Sequence, residues 1–367
     1  MEDRMIKVGI THGDVNGIGY EIILKAFSDT RMTEFCIPII YGSSKIAAYH
    51  RKALELPSLN ISSIVKAEDA GINRVSMINC IGDEVKVELS RPTEVSNEAA
   101  FKALEVAAAD LKRGAIDVLV TAPVSTSTAT PPLPMPAEYL EKAFARDGKT
   151  SLPVLVSEDL RVALATGNIP FPEVLPKITK KNIVEKLEAF CLSLKQDFGI
   201  IRPRIAVLSL NPHTVAGGGI HGDEEVNIIM PAMREAEKHG VMSFGPYASD
   251  NFFGGRLYEK FDGVLAMYYD QGAAPFETLA SEGGLCYTAG LSVVHTSPAH
   301  GAAYEIAGQN IASEDSLRQA VYVALDICRN RRLHKEATRN PLRKQYFDKG
   351  AGDESVDLTK EDDAATI

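Results

Sequence analysis

Polar turns broken by glycine or proline follow several short apolar runs of the chain, at residues 121–123, 166–170, 211–213 and 267–272. Open α/β sheets place their ligands at the carboxyl ends of parallel strands. If each apolar run is a strand of one sheet, these turns are where a ligand would bind. We therefore expect the chemistry of this chain to be carried by residues in and beside these turns.

The turn at residues 211–213 ends in His213, and His221 follows in the next loop. Imidazole nitrogens bind metals, but a zinc or iron site needs three or four donors, and a lone histidine at a strand end is more often only hydrogen-bonded.

Asp250 and Asp270 lie near glycines and aromatic residues. Each of these acids is a candidate general base or metal ligand. The alternative is a solvated turn residue without a function, which has the same sequence pattern. Spacing alone leaves these alternatives open.

Two other segments are rich in small residues. Residues 12–19 form a glycine-rich turn before a predicted helix, where backbone N–H groups could hold an anion. The turn matches neither a dinucleotide fingerprint nor a P-loop, and an ordinary tight turn is an equal alternative. Residues 300–312 contain a histidine among glycines and alanines, which favours a ligand-binding loop over a compact structural loop.

The elements that must position these residues alternate between short β-branched runs and longer helical patterns, which is typical of a mostly parallel sheet covered by helices. Strands are predicted over residues 7–11, 36–41, 116–121 and 204–210. Helices are predicted from the N-cap Ser96 to Gly114, from Thr179 onward, after residue 223 with a kink at Pro231, and from Ser313 to about Arg332.

Composition restricts the class of protein further. A chain of 367 residues can form two α/β domains or one large one. It has no apolar run long enough to span a membrane, and a net charge of -10 without a basic cluster argues against a nucleic-acid partner. Five scattered cysteines and a start without a secretory signal predict a reduced, cytoplasmic protein.

The turn motifs occur in the order found in one enzyme family. The chain resembles the 4-hydroxythreonine-4-phosphate dehydrogenases of pyridoxal phosphate (vitamin B6) biosynthesis, along nearly its whole length up to about residue 335. The motifs that carry this resemblance lie at residues 13–19, 121–123, 160–166, 211–213, 267–272 and 296–301. The loop at residues 300–312 is also similar to the cofactor loop of isocitrate and isopropylmalate dehydrogenases.

The resemblance implies an α/β fold of the isocitrate/isopropylmalate dehydrogenase type, with two α/β/α domains around a central cleft. The first domain would comprise residues 1–128 and 290–344 and carry the cofactor loop. Residues 129–289 would form the second domain with the dimer interface, and residues 345–367 a disordered tail. The family is homodimeric, so the expected partners are a second copy and a small molecule in the cleft.

The family oxidises a secondary alcohol with NAD and then decarboxylates the product with the help of a divalent metal such as zinc. The resemblance implies that NAD binds at His300, Gly301, Ala307, Gly308 and Asn310. Asp270 and Asp250 become the candidate catalytic acids.

The metal positions of the family are largely replaced in this chain. The resemblance implies three histidine ligands, one at each of three strand ends, and only His213 is retained. Asn168 and Tyr269 occupy the other two positions. A neutral amide is a weak donor for transition metals, and a phenol must lose a proton of pKa about 10 before it binds one.

The substrate positions are replaced as well. Pro136 and Ala137 stand where the family has histidine and threonine, and Glu277, Cys286 and His295 stand where it has lysine, asparagine and arginine. A further family lysine falls at Thr126. Lysine and arginine suit phosphate because they form charge-assisted hydrogen bonds, and a glutamate repels it.

The leading hypothesis is therefore a divergent family member, either a natural pseudoenzyme or an engineered variant, that keeps the fold and is inactive or strongly impaired in the family reaction. A second hypothesis is an NAD-dependent dehydrogenase for a different, non-phosphorylated substrate, with an acid completing the metal site and Glu277 favouring an amine. A third is a non-catalytic binding protein. A fourth is that a neighbouring group such as His221 restores the family activity.

Overall fold

The computed structural model describes residues 4–82, 84–125, 133–145, 150–158, 160–212, 223–280 and 283–339. Thr126, His213 and His221 lie outside these residues, as does the predicted tail. In the described part of the chain, no helix is long and apolar enough to cross a bilayer.

The described strands form one mixed twelve-stranded sheet in the order β3-β4-β2-β1-β5-β12-β11-β6-β7-β10-β8-β9. Their bounds are Lys7–Thr11 (β1), Ile37–Gly42 (β2), Ile61–Ile64 (β3), Val75–Asn79 (β4), Val118–Thr121 (β5), Leu152–Val156 (β6), Arg161–Leu164 (β7), Arg204–Leu208 (β8), Met242–Tyr247 (β9), Gly263–Ala266 (β10), Leu285–Ala289 (β11) and Val294–Pro298 (β12).

Two parallel blocks of strands make up the sheet. One block runs from β3 to β12 and the other from β7 to β9, and antiparallel β11 and β6 join them. The first block contains the N-terminal strands together with β12, whereas β6 to β11 are consecutive along the chain. The predicted domain boundaries stay a prediction.

Eleven described α-helices accompany the sheet. Their bounds are Gly19–Ser28 (α1), Met32–Phe35 (α2), Ser44–Ala53 (α3), Glu94–Lys112 (α4), Pro136–Phe144 (α5), Val174–Lys177 (α6), Lys180–Gln196 (α7), Met230–Lys238 (α8), Ser249–Gly254 (α9), Tyr269–Leu279 (α10) and Asp315–Ala337 (α11). The α/β fold class is thus confirmed. Its core consists mainly of aliphatic side chains from the central strands and the helices packed on them.

The predicted strands are confirmed to within two residues at each end. Thr179 is the N-cap of α7, as expected, because its hydroxyl accepts a hydrogen bond from the Asn182 N–H. Gly114 follows the last turn of α4 with a φ of 74°, a left-handed conformation that glycine adopts without strain.

Two details of the predicted helices are wrong. The N-cap of α4 is Thr93 rather than Ser96, because Thr93 has an extended backbone and its hydroxyl accepts from the Ser96 N–H. A π-helical turn over Glu225–Ile229 leads directly into α8, and Pro231 follows this turn; the kink at Pro231 stays a prediction. The last helix begins at Asp315 and continues to Ala337, beyond the arginines expected to end it.

Replacing Thr93 with alanine is expected to lower the free energy of unfolding by about 1 kcal/mol, because the first turn of α4 loses its hydroxyl acceptor. Asn16 also loses a partner, since its amide donates to the same hydroxyl over 3.2 Å. Urea unfolding of Thr93→Ala and Thr93→Ser measures the effect. The serine variant keeps the acceptor and should stay within a few tenths of a kcal/mol of the parent; equal losses in both would contradict the capping role.

Candidate functional site

A cavity of about 860 Å³ lies over β6, β11 and β12, where the two parallel blocks of the sheet meet. Cavities of this size hold small metabolites, and open α/β sheets bind ligands where the strand order changes direction. The turns after β5 and β7 also line the cavity, as do the first residues of α5 and α10 and one side of α7. The cavity therefore lies beside two of the turns at which the sequence predicts a binding site.

The floor of the cavity follows from the two-residue period of β-strands. Cys286 and Thr288 on β11 and His295 on β12 line the cavity. The alternate residues Tyr287 and Thr296 face away, since their side chains hydrogen-bond to Asp197 and to the Ala320 carbonyl. The strand register thus brings together positions that are far apart in the sequence.

His295 is buried between two threonines. The Thr121 hydroxyl lies 3.0 Å from Nε2, and the Thr288 hydroxyl lies 2.8 Å from Nδ1. Burial lowers the pKa of His295 to about 4, so the imidazole is neutral at physiological pH. This position therefore offers neutral hydrogen-bonding groups rather than a positive charge.

The strand-end turns that carry Asn168 and Tyr269 are tied together by hydrogen bonds. The Thr166 hydroxyl donates to the Met267 carbonyl over 3.0 Å, and the Asn182 amide donates to the Ala165 carbonyl over 3.3 Å. The first bond joins the ends of β7 and β10, which are neighbours in the sheet, and the second holds the end of β7 against α7. Asn168 and Tyr269 both line the cavity as a result.

The neighbouring end of β8 leads to the turn before His213. Glu225 accepts hydrogen bonds from the backbone N–H groups of Leu210 and Asn211, each over 2.9 Å. Gln271 donates to the Ser209 carbonyl over 2.5 Å and connects this turn to α10. The segment at residues 209–211, shortly before His213, is therefore held beside the start of α10, which follows β10.

The residues at the expected metal positions do not fit a zinc site. Asn168 offers a neutral amide oxygen, and burial raises the pKa of Tyr269, aided by repulsion from Cys286, so the phenol stays protonated. Within the described residues, no three His, Cys, Asp or Glu side chains are grouped so that they could hold a metal ion.

The first turn of α5 forms another wall of the cavity. Pro136 and Ala137 line it, and Pro136 supplies no backbone N–H. The Glu138 carboxylate accepts a hydrogen bond from the Met135 N–H over 3.2 Å. A helix N-terminus favours an anion, and here the glutamate already supplies the negative charge.

The candidate cofactor loop connects β12 to α11. His300 and Gly301 line the cavity, and there is open space where a side chain on Gly301 would lie. Ala307 is buried, Gly308 has a φ of 84°, and the Asn310 side chain donates to the Leu54 carbonyl over 3.0 Å. His300 and Gly301 thus fit a cofactor that enters the cavity, whereas Ala307 and Asn310 shape the loop.

The glycine-rich turn at residues 12–19 packs against this loop. The Ile18 N–H donates to the Ala302 carbonyl over 3.1 Å, and a Cβ added at Gly17 would lie 2.6 Å from the same oxygen. Asp14 accepts hydrogen bonds from the hydroxyls of Tyr304 and Ser96. The turn therefore joins the cofactor loop to the rest of the protein, which favours the structural alternative over an anion site.

Three of the predicted catalytic and substrate residues do not line the cavity. Asp250 and Asp270 are exposed on α9 and α10, and Glu277 is exposed near the end of α10. Their catalytic and substrate-binding roles stay predictions.

Sequence reasoning missed Lys186, Glu141 and Thr288. Lys186 lies in the cavity wall and is only 6% exposed. Its sequence signal is its position on the apolar face of α7, three residues after Ile183 and four before Phe190. Thr288 gave no such signal, because its contact with His295 depends on strand register.

Residues 34–324 match the family model described as pyridoxal phosphate biosynthetic protein PdxA. The chain is 54% identical to a 4-hydroxythreonine-4-phosphate dehydrogenase of Bacteroides thetaiotaomicron over 99% of this chain and 100% of that protein. An enzyme of the same name from Sulfurihydrogenibium is 36% identical over 89% of this chain and 100% of its own length.

Solved structures give the same result for the fold. The crystal structure of 4-hydroxythreonine-4-phosphate dehydrogenase from Klebsiella pneumoniae has a TM-score of 0.75 and 26% identity, and covers 89% of this chain and 99% of its own. The enzyme from Burkholderia phymatum has a TM-score of 0.70 and 27% identity, and covers 89% of this chain and 99% of its own.

Proposed function

Since the chain belongs to the 4-hydroxythreonine-4-phosphate dehydrogenase family of vitamin B6 biosynthesis, we propose that it keeps the family's fold and NAD site but is silent or strongly impaired in the family reaction. The observation that carries this proposal is the neutral, buried His295 at the position where the resemblance places a substrate-binding arginine. Asn168 and Tyr269 line the same cavity at two family metal positions.

The electrostatics of the cavity support the loss of a phosphorylated substrate. Glu138 and Glu141 oppose the charges of Lys177 and Lys186 in its described lining, so the lining has no net positive charge. Each charge-assisted hydrogen bond to an anion contributes about 1.5–3 kcal/mol. The loss of two such bonds corresponds to a reduction in kcat/KM of about 100-fold or more.

NAD, when bound, supplies a hydride acceptor. His300 and Gly301 would hold the part of the cofactor that enters the cavity, since both line it beside the open space at Gly301. Thr121 and Thr288 present hydroxyls that can bind and orient an alcohol. The residues of this chain are thus suited to a hydroxylated ligand without phosphate, which is the alternative of an active dehydrogenase with a changed substrate.

The opposite candidate is a retained family reaction. It is supported by the full-length 54% identity to the Bacteroides thetaiotaomicron dehydrogenase. In that case, a group outside the described residues must complete the metal and phosphate sites. The two candidates differ in one measurable quantity, which is turnover of the phosphorylated substrate.

The test is NADH formation from 4-phosphohydroxy-L-threonine with NAD and zinc, magnesium or manganese, with the Bacteroides thetaiotaomicron enzyme assayed beside it. We expect at least about a 100-fold lower kcat/KM for this chain. A rate within about tenfold of that enzyme would overturn the proposal. NAD binding, measured by calorimetry, shows whether a silent protein retains its cofactor site.

The double variant Asn168→His/Tyr269→His separates the two expected defects. We expect it to gain zinc binding, measured by equilibrium dialysis, because imidazole is a good zinc ligand. Turnover should still be low, because His295 remains neutral and offers no charge to a phosphate. Full activity of this variant would show that the missing phosphate-binding residues do not matter.

A further inference from the structure

Lys186 is a buried lysine at the wall of the cavity. It extends from the apolar face of α7 and is only 6% exposed. Its ammonium group donates to the Thr150 hydroxyl over 2.6 Å and to the Ser151 carbonyl over 2.7 Å, and both of these residues also line the cavity. The charged end of the lysine is therefore held at the cavity surface.

Within the described part of the chain, Lys186 has fewer hydrogen-bond acceptors than donors. An ammonium group has three N–H donors, and among the described residues only Thr150 and Ser151 accept from it. No described carboxylate lies within ion-pair distance of Lys186. Burial lowers the pKa of Lys186, partly offset by attraction to Glu141, so an anion that entered the cavity would favour the charged form.

Thr150 adds a second donor at the same place. Its oxygen accepts from Lys186, which leaves its own O–H hydrogen available to a ligand. A carboxylate has two oxygens and can accept from both groups at once. Glu141 is already engaged, because its carboxylate accepts from the N–H and the hydroxyl of Ser151 over 2.6 Å and 2.5 Å.

The charges around Lys186 and Thr150 determine which kind of anion can bind there. A single ammonium with one hydroxyl matches a monoanion such as a carboxylate. A phosphate dianion would bring additional negative charge near Glu141, and Lys177 is the one other lysine in the described lining. The neutral groups at Thr121, Thr288 and His295 suit hydroxyls of the same ligand.

We propose that Lys186 and Thr150 bind the carboxylate of a small hydroxylated acid without phosphate. This inference rests on the proposed function and deepens it, since it names the ligand class of the same cavity and assigns Lys186 as a binding residue.

The test is calorimetric titration, without NAD or metal, of three four-carbon hydroxy acids and their carboxamides: L-threonate, D-erythronate and 4-hydroxy-L-threonine. At least one acid should bind about tenfold or more tightly than its carboxamide, because only the acid carries the charge that Lys186 recognises. Equal affinity for acid and amide, or no binding of any acid at about 10 mM, would overturn the inference.

Matched variants assign the effect to the residue. Lys186→Met removes the charge at similar volume and should weaken acid binding by about tenfold or more, with the amide unaffected. Lys181→Met, an exposed position on the same helix, should bind as the parent does. If Lys186→Met fails to fold, Thr150→Val provides the second test, with an expected loss of about threefold or more. Unchanged acid binding in the folded variants would overturn the inference.

The failure of this inference can be distinguished from the failure of the proposed function, because one is measured as acid binding and the other as turnover. Turnover of the phosphorylated substrate would refute the proposal that the family reaction is lost. The acid titration would still decide whether Lys186 binds a carboxylate. A silent protein whose Lys186→Met variant binds acids normally would retain the proposed function and refute the role of Lys186.

Discussion

Replacement of Arg331 with methionine is expected to lower the free energy of unfolding by about 3–5 kcal/mol, because it leaves Asp197 as an unpaired buried charge. Asp197 is fully buried, and the Arg331 side chain is only 13% exposed. Arg331 donates to Asp197 over 2.6 Å, to the Tyr287 hydroxyl over 2.8 Å and to the Val293 carbonyl over 3.0 Å. These bonds fasten α11 to the end of α7 and to β11.

Urea unfolding measures this effect, with Arg329→Met as the matched control. Arg329 lies on the same helix, is half exposed and pairs with Asp326, so its loss should change stability by less than about 1 kcal/mol. The double variant Asp197→Asn/Arg331→Met should recover part of the loss, because no buried charge remains unpaired. A loss below about 1 kcal/mol in Arg331→Met would refute the structural role of this network.

Acidification from about pH 6.5 to pH 4 is expected to destabilise the protein through three buried histidines. Burial lowers the pKa of His12, His50 and His295 from 6.5 to about 4. Tyr20 stacks between the rings of His12 and His50, with a centroid distance of 5.2 Å on each side. His50 also donates from Nε2 to the Val15 carbonyl over 2.9 Å, which places the proton of the neutral ring on Nε2.

The sign follows from proton binding in the two states. Below pH 6.5 the unfolded chain protonates these histidines while the folded protein keeps them neutral. Because the unfolded state binds more protons, the free energy of unfolding decreases as the pH is lowered. The contribution is complete above pH 6.5 and is lost as pH approaches 4. Each histidine accounts for up to about 3 kcal/mol. Asp14 acts in the opposite direction at lower pH, since burial raises its pKa.

Urea unfolding at intervals between about pH 7.5 and pH 4.5 measures this dependence. His295→Gln should reduce the slope of unfolding free energy against pH, because one group that takes up a proton on unfolding is gone. His334→Gln, outside the core near the end of α11, is the matched control. A stability that does not change between pH 6.5 and 5 would contradict the prediction.

The regular elements were accessible to sequence reasoning wherever local physics decides them. The strand at residues 7–11 and the helix after Thr179 follow from β-branched runs, apolar periodicity and an N-cap hydroxyl, all encoded in neighbouring residues. The N-cap of α4 was misplaced because Thr93 and Ser96 both carry suitable hydroxyls, and only the backbone conformation shows which one precedes the helix. Burial does not account for the extra length of α11, because its last buried side chain, Cys328, precedes the arginines at which the helix was expected to end.

The sequence by itself determined the family and the α/β fold, because motif order and residue type are properties of the chain. The family positions that the sequence analysis gives as replaced stay a prediction. The tertiary structure alone decided that Cys286, Thr288 and His295 share one cavity face with Lys186, since strand register and helix packing bring them together. It also decided the charge of that face. Ionisation of His295 and Lys186 depends on how far each group is removed from water, and only the folded chain fixes that.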